Sequence, residues 1–370
     1  MDYGVGFLNY KGCWDDAAFA EEHGFATAGF VDSPLLTGDP FVCMGLAAQA
    51  TQRIRLGTFL AIPSLRVAPT TASAIATVNG LAPGRTFLSL GTGYTARDTF
   101  GLSPLAASRV RDYALECRGL LDGEEVIHRY GDAERAIRFR HLEGLSTDTR
   151  TRIPIYIAGD GPKALRAAGE AGEGLILTLK NADAMGNAPA VCAAAIAAAG
   201  AAAEAVGRDF SGAYVIWSTV VCVLEPGEPA TSARALEQVG AAAMMAFHSY
   251  ACHPEIGEYL PPAIRDRLDT YEREVLSRLG VDRPRLYQEV HAGHLSHMLD
   301  GEAAVLTEEV VRMTALIGTA EEIATQLVAL EAAGLCNVSF WIPPAVTRSV
   351  IADVAEQVMP RVSALSAAAD

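Results

Sequence analysis

Leu88-Ser89-Leu90-Gly91-Thr92-Gly93-Tyr94 and Ile155-Tyr156-Ile157-Ala158-Gly159-Asp160-Gly161-Pro162-Lys163-Ala164 are the two stretches that decide how this chain folds. Each runs a strand-like segment straight into Gly-x-Gly. Glycine there permits positive φ and lets the backbone come close to a ligand. In the second stretch Pro162 suits the first position of a following helix, and the N–H groups around Gly161 then face an anion. Both also fit Gly-x-Gly-x-x-Ala, at 91–96 and 159–164, which invites a dinucleotide-binding reading. Such a domain carries one turn of this kind, after its first strand. Here neither turn is followed by a clean strand ending in an acid at the expected distance. Read alone, each is equally an ordinary tight loop.

What surrounds them settles the class. Short apolar runs at Tyr3–Leu8, Thr27–Val31, Ile54–Phe59, Thr86–Leu90, Ile153–Ile157, Leu175–Thr178, Tyr214–Val223 and Asn337–Trp341 alternate with helical stretches, many rich in alanine. Continuous apolar strands are those covered on both faces, as in a parallel sheet under helices. Eight such βα units predict an α/β (β/α)8 TIM barrel, with the Gly-x-Gly turns after strands four and five. A doubly wound dehydrogenase sheet is the fold-level alternative. Glu125–Arg140 reads as a hairpin around Tyr130-Gly131-Asp132. The segment 248–300 reads as an extended insertion between strands seven and eight, and residues 1–370 as a single domain.

Composition narrows the function. The formal net charge is −15 over 370 residues, and no basic run is present. Nucleic acid and anionic membrane surfaces are therefore not expected as partners. The apolar stretch 188–203 is too short for a membrane span. Met1–Phe7 lacks a basic leader segment, and the seven cysteines are scattered with no CxxC. The expectation is a cytoplasmic protein with reduced thiols, neither disulfide-bonded nor metal-clustered. No Gly-x-Ser-x-Gly elbow and no Gly-Lys-Ser/Thr loop supports a serine hydrolase or a triphosphatase.

Three further signals carry chemistry. Asp32 ends strand two in Gly29-Phe30-Val31-Asp32-Ser33-Pro34, where barrel enzymes place catalytic groups; an Asx turn or a helix cap is the bland alternative. Gly57-Thr58-Phe59-Leu60-Ala61-Ile62-Pro63 suggests an irregular strand end. His291-Ala292-Gly293-His294-Leu295-Ser296-His297 puts histidines three apart. Histidines at that spacing can share a helix face and bind metal. The embedded glycine and the lack of a carboxylate cluster argue against it. His294 lining an active-site mouth and a solvated surface cluster are the competing readings.

Together these pieces resemble the bacterial luciferase-like superfamily, in its deazaflavin-F420-dependent branch. The resemblance is carried by Arg53-Ile54-Arg55-Leu56-Gly57-Thr58, by Leu81–Gly93, by Pro154–Gly159 and its helix, by Ala168-Gly169-Glu170 with Gly172–Ile176, and by Gly318-Thr319-Ala320-Glu321-Glu322-Ile323. It implies an oxidoreductase that moves hydride between F420 and a small organic substrate, with homodimers common. An FMN-dependent monooxygenase on the same scaffold and a non-catalytic flavin-binding barrel are the alternatives. By that resemblance a bulge near Ala61 and Ile62, often a non-proline cis peptide, backs the ring. Gly91 and Thr92 sit beside it, Ala158, Gly159, Asp160 and Gly161 hold the cofactor phosphate, and Thr178 lies near its tail. Asp32, Tyr94 and His294 are the candidates for proton handling or substrate orientation. The chain departs from the family pattern by carrying Ser33 where many relatives have histidine, and Tyr94 where some have glutamate.

Overall fold

The computed structural model describes residues 1–140, 145–179 and 187–369. Eight parallel strands close into a barrel: β1 (Asp2–Phe7), β2 (Thr27–Phe30), β3 (Arg55–Thr58), β4 (Thr86–Leu90), then, after a separate hairpin of β5 (Val126–Tyr130) and β6 (Ala133–Ile137), β7 (Ile155–Ala158), β8 (Gly174–Leu177), β9 (Tyr214–Thr219) and, late in the chain, β12 (Asn337–Trp341). Around the barrel the order is β1-β12-β9-β8-β7-β4-β3-β2. The eightfold pattern read from the sequence is the observed one. The hairpin also forms as expected, with Tyr130 paired to Ala133 across Gly131-Asp132 and Gly131 at φ +58.

The longest predicted strand is not a single strand. Tyr214–Val223 breaks after Thr219. Val221–Val223 (β10) leaves the barrel and pairs in parallel with Leu316–Gly318 (β11). The chain between β9 and β12 therefore does more than carry an insertion at 248–300: it builds its own small sheet and helices. Two compact units result. The first comprises Met1–Leu179, Ala190–Ser218 and Ala333–Ser339; the second comprises Lys180–Pro189, Thr219–Ala332 and Phe340–Asp370. The predicted helix near 182–206 is seen as Ala188–Glu204, and residues 182–186 of that expectation lie outside the described residues. Among the described residues no helix is long and apolar enough to cross a membrane.

Aromatic rings fill the barrel near the strand starts. Phe87 lies 5.4 Å from Tyr156, and Tyr156 stacks on Tyr214 at 5.6 Å. Small residues on neighbouring strands make room for them. A Cβ on Gly57 would sit 2.3 Å from the Phe87 ring, and one on Gly174 would sit 2.5 Å from Tyr156. Arg55 caps the stack, 4.4 Å from the Tyr214 ring centre and bonded to its hydroxyl. With that end plugged, the C-terminal ends of the strands are left to carry loops and function.

In the second unit, Gly318-Thr319 ends β11 and starts the helix Ala320–Ala332. Thr319 and Glu322 form a reciprocal capping box: the Thr319 N–H donates to Glu322 Oε2 at 2.8 Å and the Glu322 N–H donates to Thr319 Oγ1 at 3.4 Å. That is the capped helix expected before the eighth strand.

Candidate active site

Strand pairing fixes what can meet at the rim. The strands β2, β3, β4, β7 and β8 are consecutive neighbours and all parallel. Their C-terminal ends bring together Asp32, the segment 59–62, Gly91-Thr92-Gly93, Ala158–Gly161 and Thr178. The register places Leu90 beside Ile157, so the two Gly-x-Gly turns leave adjacent strands at one level.

Asp32 follows β2 and is 1% exposed. Its backbone N–H donates to Leu60 O at 3.3 Å. Its Oδ2 accepts from Arg66 Nε at 3.3 Å, while Arg66 also grips Asp39. Its Oδ1 is buried with no hydrogen-bond partner among the described residues. Burial pushes the Asp32 carboxyl up from the ordinary carboxylate value, and the Arg66 guanidinium only partly offsets this. Asn9 fixes the loop that carries it, with Nδ2 donating to Val31 O at 2.5 Å and to Gly38 O at 2.8 Å. Neither Arg66 nor Asn9 was legible as a site residue, because each lies on a different βα loop from Asp32.

The irregular end of β3 is real but falls earlier than expected. The non-proline cis peptide joins Phe59 and Leu60, not Ala61 and Ile62. Ala61 and Ile62 are buried. Ala61 N–H donates to Ser89 O and Ala61 O accepts from Gly91 N–H, so Ala61 stitches β3 to β4 beyond its regular pairing. The Gly91 position is filled from the other side: a Cβ there would lie 2.5 Å from Leu60 Cδ1. Gly93 needs its glycine twice over, with φ +74 and a notional Cβ 2.3 Å from Ile62. Thr92 is half-buried and Tyr94, the first residue of the short helix Tyr94–Asp98, is exposed.

On the neighbouring loop the Asp160 side chain turns away from the glycine turn. It accepts from Thr178 N at 2.9 Å, Leu179 N at 2.8 Å and Thr178 Oγ1 at 2.5 Å. A carboxylate beside an anion site is unfavourable, and these three bonds absorb its charge elsewhere. Thr178 lies one residue past the end of β8 at Leu177. Gly159 has φ +150 and packs against Ala164, whereas a Cβ on Gly161 would meet nothing within 4 Å. Gly161 caps the helix Pro162–Ala171, where Pro162 has no N–H and the Ala164 and Leu165 N–H groups donate back to Gly161 O, so the exposed Lys163 is the charged donor at this end. This donor set fits a phosphate, and the buried unpaired oxygen of Asp32 fits a polar ligand edge.

His294 belongs to the second unit. No helix face is shared by these histidines, because the helix Leu286–Val290 stops before His291 and residues 291–296 form turns. His294 instead packs edge-on against His291 at 5.6 Å, and His291 against His248 at 6.1 Å. Burial, then the neighbouring His291 and His248, push His294 down to about 3, so its ring is neutral at pH 7. His248 was missed as its partner, being more than forty residues away in sequence.

Residues 10–336 match the family model described as Luciferase-like monooxygenase. Among curated proteins, the chain is 30% identical over 202 residues to a 5,10-methylenetetrahydromethanopterin reductase of Methanolobus tindarius, covering 52% of this chain and 56% of that protein. It is 33% identical over 147 residues to an F420-dependent glucose-6-phosphate dehydrogenase of Beutenbergia cavernae, covering 36% and 40%. The chain thus spans about half the length, or less, of these curated relatives. The solved structure of coenzyme F420 dependent tetrahydromethanopterin reductase from Methanopyrus kandleri superposes with a TM-score of 0.68 at 19% identity, over 98% of this chain and 99% of that one, a likeness of fold.

Proposed function

This chain belongs to the luciferase-like monooxygenase family, and from that premise we propose that it is an oxidoreductase moving hydride between deazaflavin F420 and a small organic substrate. The observation that carries the reading is Asp32, a carboxylate 1% exposed at the end of β2 with one oxygen unpartnered. Relatives that name F420 favour that cofactor over FMN. When bound, F420 supplies the hydride acceptor or donor, and the protein supplies position and electrostatics.

In this reading the loop Ala158–Gly161 holds the phosphate, with Gly161 N–H as the donor because Gly159 N–H is already bonded to Ile176 O, and with Asp160 and Thr178 bracing the loop. Leu60, Ala61, Ile62, Gly91 and Thr92 form the wall against the ring. Asp32 orients the substrate and holds or takes a proton at Oδ1, and Arg66 sets the ease of that step by its bond to Oδ2. Tyr94, exposed beside Gly93, contacts substrate from the other side. The whole chain acts as one functional domain, in the cytoplasm and as a homodimer.

The test is a fluorescence titration of the purified protein with F420 and with FMN, followed by single-turnover assays. Saturable F420 binding with turnover of a small alcohol or a reduced pterin-type substrate is the expected result. Tight FMN binding with no response to F420 would replace this reading with the flavin monooxygenase. Binding of either cofactor without turnover of any substrate would favour the non-catalytic barrel.

A further inference from the structure

The second unit holds a buried histidine cluster that the proposed chemistry leaves unused. His248 lies in the helix Met245–Cys252, and His291 and His294 lie in the turns after the helix Leu286–Val290. One ring nitrogen of each lies within 4.8 Å of those of the other two. Gly293 makes the turn possible, since a Cβ there would fall 2.3 Å from His297 O. The glycine that argues against a helical metal motif is therefore what lets the two histidines converge.

Glu302 gives the cluster a direction. It is 0% exposed and its Oε1 accepts from His248 Nε2 at 2.6 Å, while its Oε2 accepts from Leu299 N–H at 2.7 Å. With Nε2–H committed to Glu302, the lone pair of His248 sits on Nδ1. That is the carboxylate–histidine arrangement that orients a metal-binding imidazole. His248 Nδ1 and His294 Nδ1 are buried with no hydrogen-bond partner among the described residues, and the Tyr271 hydroxyl is likewise buried and unpartnered. A hydrogen-bonded histidine core would pair such atoms.

We propose that His248, His291 and His294 form a binding site for one divalent transition-metal ion of the zinc class, with Glu302 orienting His248. Three imidazole ligands suit zinc, and leave a fourth position for water. Zn–N bonds of about 2.0–2.1 Å put ligand nitrogens roughly 3.3 Å apart, so the rings close inward by side-chain rotation. The site ties the turn at 291–294 to the helix carrying His248, and is independent of the reading of the barrel rim.

The test uses the untagged full chain, stripped with a chelator and titrated with Co²⁺ and then Zn²⁺. The expected result is one equivalent of Co²⁺ with tetrahedral visible absorption, displaced by one equivalent of Zn²⁺. His291→Gln and His294→Gln should each abolish that absorption. Glu302→Gln should keep one equivalent but bind about 10–100-fold more weakly. Wild-type protein that gives no tetrahedral Co²⁺ spectrum overturns the site, and that measurement decides the matter even where a histidine variant does not fold. Absorption that survives both histidine substitutions, or an affinity that Glu302→Gln leaves unchanged, overturns it equally.

Discussion

Asp32 and Arg66 are bonded at 3.3 Å across two βα loops, through Oδ2, while Oδ1 is buried with no hydrogen-bond partner among the described residues. Arg66 divides its guanidinium between Asp32 and Asp39, which lies at the cap of the helix Pro40–Ala50. The shared arginine ties the loop after β2 to that after β3. Replacing Asp32 by Asn keeps the shape and removes the charge and the proton site. We expect kcat to fall by about 10²–10⁴ with cofactor affinity changed little. Steady-state kinetics beside a cofactor titration check this; an unchanged kcat would remove Asp32 from the chemistry.

The same carboxyl makes a signed prediction about pH. Its folded-state pKa is raised above the unfolded 3.8, chiefly by burial. Between those two values the folded protein binds more protons than the unfolded chain, so this group's contribution is full below the unfolded pKa and is lost as pH rises through the folded one. Urea midpoints measured from pH 3.5 to 8 should therefore show a downward component with rising pH that Asp32→Asn lacks. Parallel wild-type and variant curves would contradict the assignment.

Glu228 behaves in the opposite sense. The hydrogen bonds from Arg234, opposed in part by burial, hold its carboxyl down at about 2. Its stabilisation is present above the unfolded value of 4.5 and is lost as pH falls through about 2. The pair is partly solvated, with Glu228 at 14% and Arg234 at 37% side-chain exposure, so the gain is discounted to on the order of 2 kcal/mol. Glu228→Gln should lower stability by about that amount at pH 7 and by little near pH 2. Equal losses at both pH values would show that charge is not the cause.

Asp160 is a structural carboxylate in the loop after β7. Asp160→Ala leaves the N–H groups of Thr178 and Leu179 without their acceptor. A loss of about 1–3 kcal/mol is expected in denaturant unfolding, with weaker cofactor binding. Asp160→Asn retains an acceptor oxygen and should cost less. If alanine and asparagine behave alike, the loop is held by something else.

Gly93→Ala tests the rim from the other turn. A side chain at φ +74 is strained, and its Cβ would collide with Ile62. A destabilisation of about 1–3 kcal/mol and a weaker cofactor complex are expected. Gly161→Ala is the contrast, because that position has open space and its φ of −84 suits any residue. A Gly161 variant as unstable as the Gly93 variant would refute the steric argument.

Much of this molecule was readable from the chain itself. Strand runs, βα alternation, the two-residue turn at Gly131-Asp132 and the Thr319–Glu322 capping box are all encoded within a few residues, because they depend on local backbone preference and short-range hydrogen bonds. So was the position of Asp32 just past β2, since the end of a barrel strand can be counted. The break after Thr219 was not, because Val221–Val223 is apolar enough for the barrel and leaves it only for a partner nearly a hundred residues on. The same holds for Arg66 beside Asp32, for the cis peptide at Phe59–Leu60, and for His248 meeting His291, His294 and Glu302. Those meetings are decided by packing, where the cost of an unpaired buried polar group selects partners without regard to their separation in sequence.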